Sequence, residues 1–400
     1  MKLVEFVPPT PHPLWELCPQ MGITDVIVKV NPELTGLNDP WRYETLAAIV
    51  GRLKSVGLTV VGLEGDPVDM SPIKEFGERI PRAKRVAEGD ALAGVETGNG
   101  EREEALAHYR ELLESMGRLG IKLLCYNFMV GKGWSRTGVR EGRGGAKATY
   151  FSLDETEKER TSDFGRQTSS AEVRSLESEV LVLSHEQVWA NYECFIKAVM
   201  PTAEKWGIRM GLHPDDPCLD SLGGYARIFG SIEAYDRAYA IYPSPSNAVT
   251  FCQANFKLMF THADFYSKAE GRSLKSSHPV KTLADAARHF GKRIAFIHIR
   301  DVEGDKTDFT ELFHDQGDVD QFALMRVYRE IGLDVPVRGD HVPEMAYDRV
   351  LTPEGTPGYF TLGRLFANGY LKALLAGCTC EGKKGGDTTC PANRRVSKSK

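Results

Sequence analysis

No uninterrupted apolar run in this 400-residue chain approaches the length needed to cross a bilayer, so no membrane partner is expected. The N-terminal "MKLVEFVPPTPHP" has no signal-peptide architecture, because its apolar stretch is short and prolines follow at once. There is no basic excess either. A formal net charge of −5 leaves no electrostatic footprint for nucleic acid. A cysteine framework is also missing. Of the eight cysteines (18, 125, 194, 218, 252, 378, 380 and 390) only the last three cluster, and they lack the fourth ligand and spacing of a zinc knuckle. This density at this length argues against disulfides and for a reducing, cytoplasmic setting. Cys125 and Cys252 sit in apolar runs, where a free thiol usually behaves as a small hydrophobe.

What is present is an ordinary apolar fraction of 42% and a chain long enough to bury a large core. Short β-rich runs alternate with amphipathic stretches. Eight such runs stand out: Leu3–Val7, Asp25–Val30, Thr59–Leu63, Leu123–Phe128, Met210–His213, Val249–Cys252, Ala295–His298 and Val335–Val337. Strand–helix alternation implies parallel strands with helical crossovers, and eight units suggest closure into an α/β (β/α)8 TIM barrel. Helices are expected over Pro40–Val56, Glu101–Leu119, Glu186–Trp206, Asp318–Ile331 and Leu362–Leu375. One catalytic barrel over residues 1–377 is the expected organisation.

Two regions break the pattern. Residues 131–178 are polar and rich in Gly, Arg and Glu, too long for a bare βα loop. They read as an insertion after strand four, lid-like or partly mobile, on the active-site face. Residues 378–400 are small, polar and basic, and read as a flexible tail.

Four polar residues end four successive strand-like runs: His213 in "MGLHPDDP", Cys252 in "VTFC", His298 in "IAFIHIRD" and Asp340 in "PVRGDH". A lone buried His or Cys is usually structural. Four on neighbouring strand ends of a parallel barrel converge on the face where barrel chemistry occurs. Two imidazoles, a thiolate and a carboxylate suit one divalent ion among Mn(II), Fe(II), Co(II) and Zn(II), whereas sulfur and nitrogen disfavour magnesium. His341 follows Asp340 where the chain turns, so it is a candidate acid/base; its bland role is that of a partner behind the site. Arg300 lies two residues beyond His298 and shares its face if the strand continues. It either forks a substrate carboxylate or pairs with Asp301 or Glu303.

With these residues the chain resembles the mannonate dehydratase family, uronate-pathway enzymes of the xylose-isomerase-like TIM-barrel group. The matching pieces are "GIKLLCYNFM", "MGLHPDDP", "VTFC", "FIHIRDVEG", "GDVD", "RGDH" and "PGY…GYLKAL", in family order from about Ile121 to Leu374. The first 100 residues and "SRTG" depart from the family pattern. The resemblance implies one Mn(II)- or Fe(II)-type ion held by His213, Cys252, His298 and Asp340. It implies loss of water from D-mannonate, or a closely related sugar acid, to give 2-keto-3-deoxygluconate. His341 and Tyr359 become the proton-transfer pair, with base and acid unassigned between them. Arg300 becomes a catalytic and carboxylate-holding residue, and Asn127 a further substrate contact. By analogy of fold, a homodimer or higher homo-oligomer is expected.

Two other readings use the same residues. One is a metal-dependent sugar isomerase or epimerase, to which Glu64 and Asp66 near strand three could contribute. The other is a non-catalytic sugar-acid-binding relative that keeps the metal for stability, although such a protein has no need of a proton-transfer pair.

Overall fold

The computed structural model describes residues 1–30, 39–77, 99–131, 133–158, 162–163, 166–167, 183–223, 225–261, 280 and 282–380. Its central sheet is parallel and contains all eight expected strands. Strand one is Lys2–Leu3 with Glu5–Val7, strand two Asp25–Lys29, strand three Thr59–Glu64 and strand four Leu123–Tyr126. Strand five is Arg209–Leu212, strand six Asn247–Cys252, strand seven Ile294–Ile299 and strand eight Pro336–Gly339. Each strand pairs with the next in sequence. The first strand closes the barrel: Lys2–Leu3 pairs with strand eight, while Glu5–Val7 pairs with strand two. The fold is the (β/α)8 TIM barrel that the alternation predicts. Strands six and seven are buried at every position, as befits strands covered on both faces.

The helices follow their local signals. His185–Trp206 starts where Ser184 Oγ accepts the Gln187 N–H at 3.2 Å and ends at Gly207 with φ +61°. Trp189, Phe195, Ile196 and Val199 on this helix all pack into the core, as their spacing predicts. Gln321–Glu330 is capped by Asp320, whose carboxylate accepts the Ala323 N–H at 2.8 Å. Tyr43–Ser55, Asn99–Arg118 and Thr361–Cys380 fill the other expected helical positions. Among the described residues no helix is long and apolar enough to cross a membrane.

The described residues of the insertion after strand four form regular structure. Gly138–Glu141 and Lys147–Ser152 join Asp308–Glu311 and Val302–Asp305 in a four-stranded antiparallel sheet. In "KATYFS" both Ala148 and Phe151 are buried, and Phe151 packs on Phe309 at 5.8 Å between ring centroids. Leu219, Leu222, Ala254 and Leu258 join this small core and attach the sheet beside the segment after strand five and the helix Gln253–Thr261 after strand six. Residues 159–161, 164–165, 168–182 and 381–400, which include parts of the expected lid and tail, lie outside the described residues.

Candidate active site

Strand register brings the four strand-end residues together. Cys252 is paired with His298 across strands six and seven, and His298 with Arg338 across strands seven and eight. His213 continues strand five, its N–H donating to Tyr126 O at 2.7 Å. Asp340 continues strand eight, its N–H donating to Ile299 O at 2.9 Å. One ligand atom from each of His213, Cys252, His298 and Asp340 lies within 4.8 Å of the other three. A second group, Glu64, Cys125 and His298, shares the same imidazole.

The chemistry of the quartet fits a divalent ion. His213 Nδ1 faces Pro214 O at 2.8 Å, which fixes the proton on Nδ1 and leaves Nε2 as a lone-pair donor. Both ring nitrogens of His298 are buried without a hydrogen-bond partner. Burial and Arg338 alone would push that imidazole pKa down, but Glu64 and Asp340 outweigh them and raise it well above the ordinary value. Burial would raise the Cys252 thiol, yet the His213 and His298 imidazoles and Arg300 bring it down to about 5, in the thiolate range. Burial of Asp340 is likewise outweighed, by Arg338, His341 and His298, so it stays ionised.

His341 stands beside this quartet. Its φ is +41°, a left-handed value uncommon for a residue with a Cβ. That turn lets two consecutive residues, Asp340 and His341, both line the same cavity. Its Nε2 is 2.9 Å from Tyr359 Oη, and its Nδ1 is 3.0 Å from Glu311 Oε1. Arg136 Nη2 is farther from Nδ1, at 3.3 Å. The nearer carboxylate assigns the proton to Nδ1, so Nε2 accepts from the tyrosine hydroxyl. Burial and the neighbouring Asp340 hold the Tyr359 hydroxyl pKa well above its ordinary value, so it stays protonated. Trp134 packs on both rings, at 5.1 Å from His341 and 6.2 Å from Tyr359. The cavity in front of these groups has a volume of about 860 Å³. Asn127 lines it with its Oδ1 taken by the Met129 N–H and Lys74 Nζ, at 3.1 and 3.2 Å.

Behind His341 lies a buried ionic network that the sequence reading missed. Glu311 accepts from Arg136 at 2.7 Å and from Arg300 at 2.5 and 2.8 Å. Asp216 accepts from the same two arginines, each at 2.8 Å. Arg136 and Arg300 are each 1% exposed, so a partner for every charge is a condition of their burial. Arg136 belongs to the "SRTG" departure and Glu311 to the antiparallel sheet, which therefore reaches into the barrel mouth. The only signal was an acidic residue ending the alternating "DFTE" segment. Arg300 sits one layer behind the cavity, bonded to Asp216, Glu311 and Asn255. The expected alternative pairing with Asp301 is not seen, since that carboxylate takes Lys257 Nζ at 2.7 Å.

Comparison with known proteins agrees with this architecture and extends the match beyond the motifs. The family model for D-mannonate dehydratase matches residues 59–267 and 272–384, a wider span than the motifs from Ile121 onward. The mannonate dehydratase of Streptococcus equi subsp. zooepidemicus is 27% identical over 365 residues, covering 85% of this chain and 93% of that protein. That of Oceanobacillus iheyensis is 26% identical over 365 residues, covering 88% and 89%. The crystal structure of mannonate dehydratase from Streptococcus suis serotype 2 superposes with a TM-score of 0.71 at 24% identity, covering 97% of each chain, which supports the fold. With a family model matched over most of its length and its barrel shared with a solved member, the chain belongs to the D-mannonate dehydratase family of hydro-lyases.

Proposed function

We propose that this chain dehydrates D-mannonate, or a closely related sugar acid, to 2-keto-3-deoxygluconate in a metal-dependent reaction. The observation that carries the reading is the convergence of the His213, Cys252, His298 and Asp340 ligand atoms within 4.8 Å, beside the hydrogen-bonded His341–Tyr359 pair. The N, S and O donor set suits Mn(II) or Fe(II) among divalent ions. Bound there, such an ion supplies Lewis-acid stabilisation of the charge that builds on the substrate carboxylate when C2 is deprotonated.

The chain's own residues account for the proton transfers. His341, whose Nδ1 proton is held by Glu311 so that Nε2 presents its lone pair, takes the C2 proton. Tyr359 gives its hydroxyl proton to the C3 oxygen as the C3–O bond breaks, and water leaves. The electron pair from the C2–H bond becomes the C2–C3 double bond of an enol, which ketonises. The proton on His341 then returns to Tyr359 across their 2.9 Å contact, so both groups regain their starting states. Asn127 is placed to bind a substrate hydroxyl or carboxylate through its remaining amide donors. Arg300 acts through Glu311 and Asp216 rather than on substrate. Residues 1–377 form the catalytic unit in this reading.

The test is Mn(II)-reconstituted enzyme on D-mannonate under reducing, anaerobic conditions, following 2-keto-3-deoxygluconate. Turnover that disappears in His341→Asn supports the reading. Metal-loaded enzyme that leaves every sugar acid untouched but interconverts free sugars would replace it with the isomerase reading.

A further inference from the structure

Two groups of side chains meet on one imidazole. The ring nitrogens of His298 divide between them: Nδ1 is 3.6 Å from Asp340 Oδ2, and Nε2 is 3.5 Å from Glu64 Oε2. Nδ1 therefore faces the quartet, and Nε2 faces Glu64 and Cys125. The second group is poorly built for an ion of its own. Both oxygens of Glu64 are already engaged by Arg338, at 2.6 and 3.2 Å, whereas Asp340 gives Arg338 only its Oδ1 and keeps Oδ2 towards His298. What the second group offers instead is an acceptor. An imidazole that gives one nitrogen to a metal carries its proton on the other, and that N–H needs a fixed partner to hold the ring in plane with the ion. Among the described residues, Glu64 supplies the carboxylate on that side of the ring.

Arg338 makes the arrangement rigid. It is 1% exposed, and besides Glu64 it donates to Asp340 Oδ1 at 2.8 Å. One buried guanidinium thus ties the carboxylate behind His298 to the carboxylate of the quartet. The tie runs across the barrel interior, from the end of strand three to strand eight.

We infer that Glu64, clamped by Arg338, is a positioning residue that accepts the Nε2–H of His298 and aims Nδ1 at the space shared by His213, Cys252 and Asp340. The inference rests on the quartet being the metal site proposed above. It gives Glu64 a role through the imidazole, distinct from an acid/base role on substrate.

Co(II) titration of the full-length, metal-free chain under reducing, anaerobic conditions, against a chromophoric chelator, tests it. The wild-type chain is expected to take up one equivalent with a thiolate-to-cobalt absorption from Cys252. Glu64→Ala is expected to bind Co(II) roughly 10–100-fold more weakly, with altered visible bands. Glu64→Gln keeps an acceptor oxygen for Nε2–H and is expected to recover part of that loss. Glu64→Asp retains a counter-ion for Arg338 but withdraws the carboxylate from His298 by one methylene. It is expected to fold as the wild type does while binding Co(II) weakly, which separates positioning from support of the fold should Glu64→Ala fail to fold. Wild-type affinity and spectrum in Glu64→Asp would overturn this inference alone. A folded wild-type chain that takes up no Co(II) would overturn the metal reading, and this inference with it.

Discussion

Replacing Glu311 with glutamine puts an NH2 group into a pocket that presents donors from Arg136, Arg300 and His341. Burial alone would raise the Glu311 carboxyl pKa, but Arg300, His341 and Arg136 outweigh it and lower it from its ordinary 4.5 to about 2. At about 1.4 kcal/mol per pKa unit, that shift corresponds to roughly 3 kcal/mol of stability. Removing one partner of a buried ion pair costs about 3–5 kcal/mol, which agrees. Asp216 remains to share both arginines, so the lower end is expected. The sign follows from the lowered value. The contribution is complete above the unfolded carboxyl pKa and is lost as pH falls through the folded one. Urea unfolding at pH 7 is expected to show Glu311→Gln about 3 kcal/mol less stable, with the gap closing between pH 4.5 and about 2. In the metal-loaded enzyme the amide also favours the opposite His341 tautomer, so kcat is expected to fall by about 10²–10⁴-fold. A stability gap that persists unchanged at low pH refutes the electrostatic account. A wild-type kcat in a folded variant refutes the anchoring of His341.

Tyr359→Phe removes the hydroxyl 2.9 Å from His341 without emptying the aromatic packing. It should lower kcat by about 10²–10⁴-fold with KM nearly unchanged, and steady-state kinetics on D-mannonate would refute the acid role if kcat held. Stripping the metal should abolish turnover and, relative to protein in ion at a hundredfold Kd, lower unfolding free energy by about 2.7 kcal/mol. Elemental analysis showing full activity without metal would end the metal reading. Gly62→Ala places a Cβ 2.8 Å from Ile27 Cδ1 and 3.1 Å from Leu123 Cβ inside the barrel. A loss of about 1–3 kcal/mol is expected in denaturant unfolding, partly restored by Ile27→Val, and an unchanged midpoint would show that the interior yields more readily than its packing implies.

The barrel and the quartet were legible because each of the four residues ends an apolar run, and parallel strands of known order can only gather their ends at one face. His341 was legible as a neighbour of Asp340, but its orientation depends on a φ of +41° that no residue preference announces. Glu311, Arg136 and Asp216 were illegible for another reason. Charged residues in polar segments ordinarily face solvent, and nothing local shows that Arg136 meets partners 80 and 175 positions away. The insertion was legible from its length and composition, but its sheet was not. Its strands are short, and Phe151 gains its apolar neighbours only after Phe309 and Leu258 arrive from elsewhere. Glu64 was noticed as an acid near strand three, while its approach to His298 exists only once strand three and strand seven share one interior.

The first strand has a consequence for biosynthesis. Residues 2–7 join the two ends of the barrel, and Glu5 is held by Arg364 and Asn368 of the closing helix. All of those later partners leave the ribosome near the end of translation. At about 5–20 residues per second, the interval between residue 7 and residue 337 is roughly 15–70 s. Throughout that time one edge of the leading strand has no native neighbour and can template the wrong pairing. Chaperone cover of the nascent first strand should therefore raise the yield of native protein, and slower translation, which lengthens that interval, should lower it.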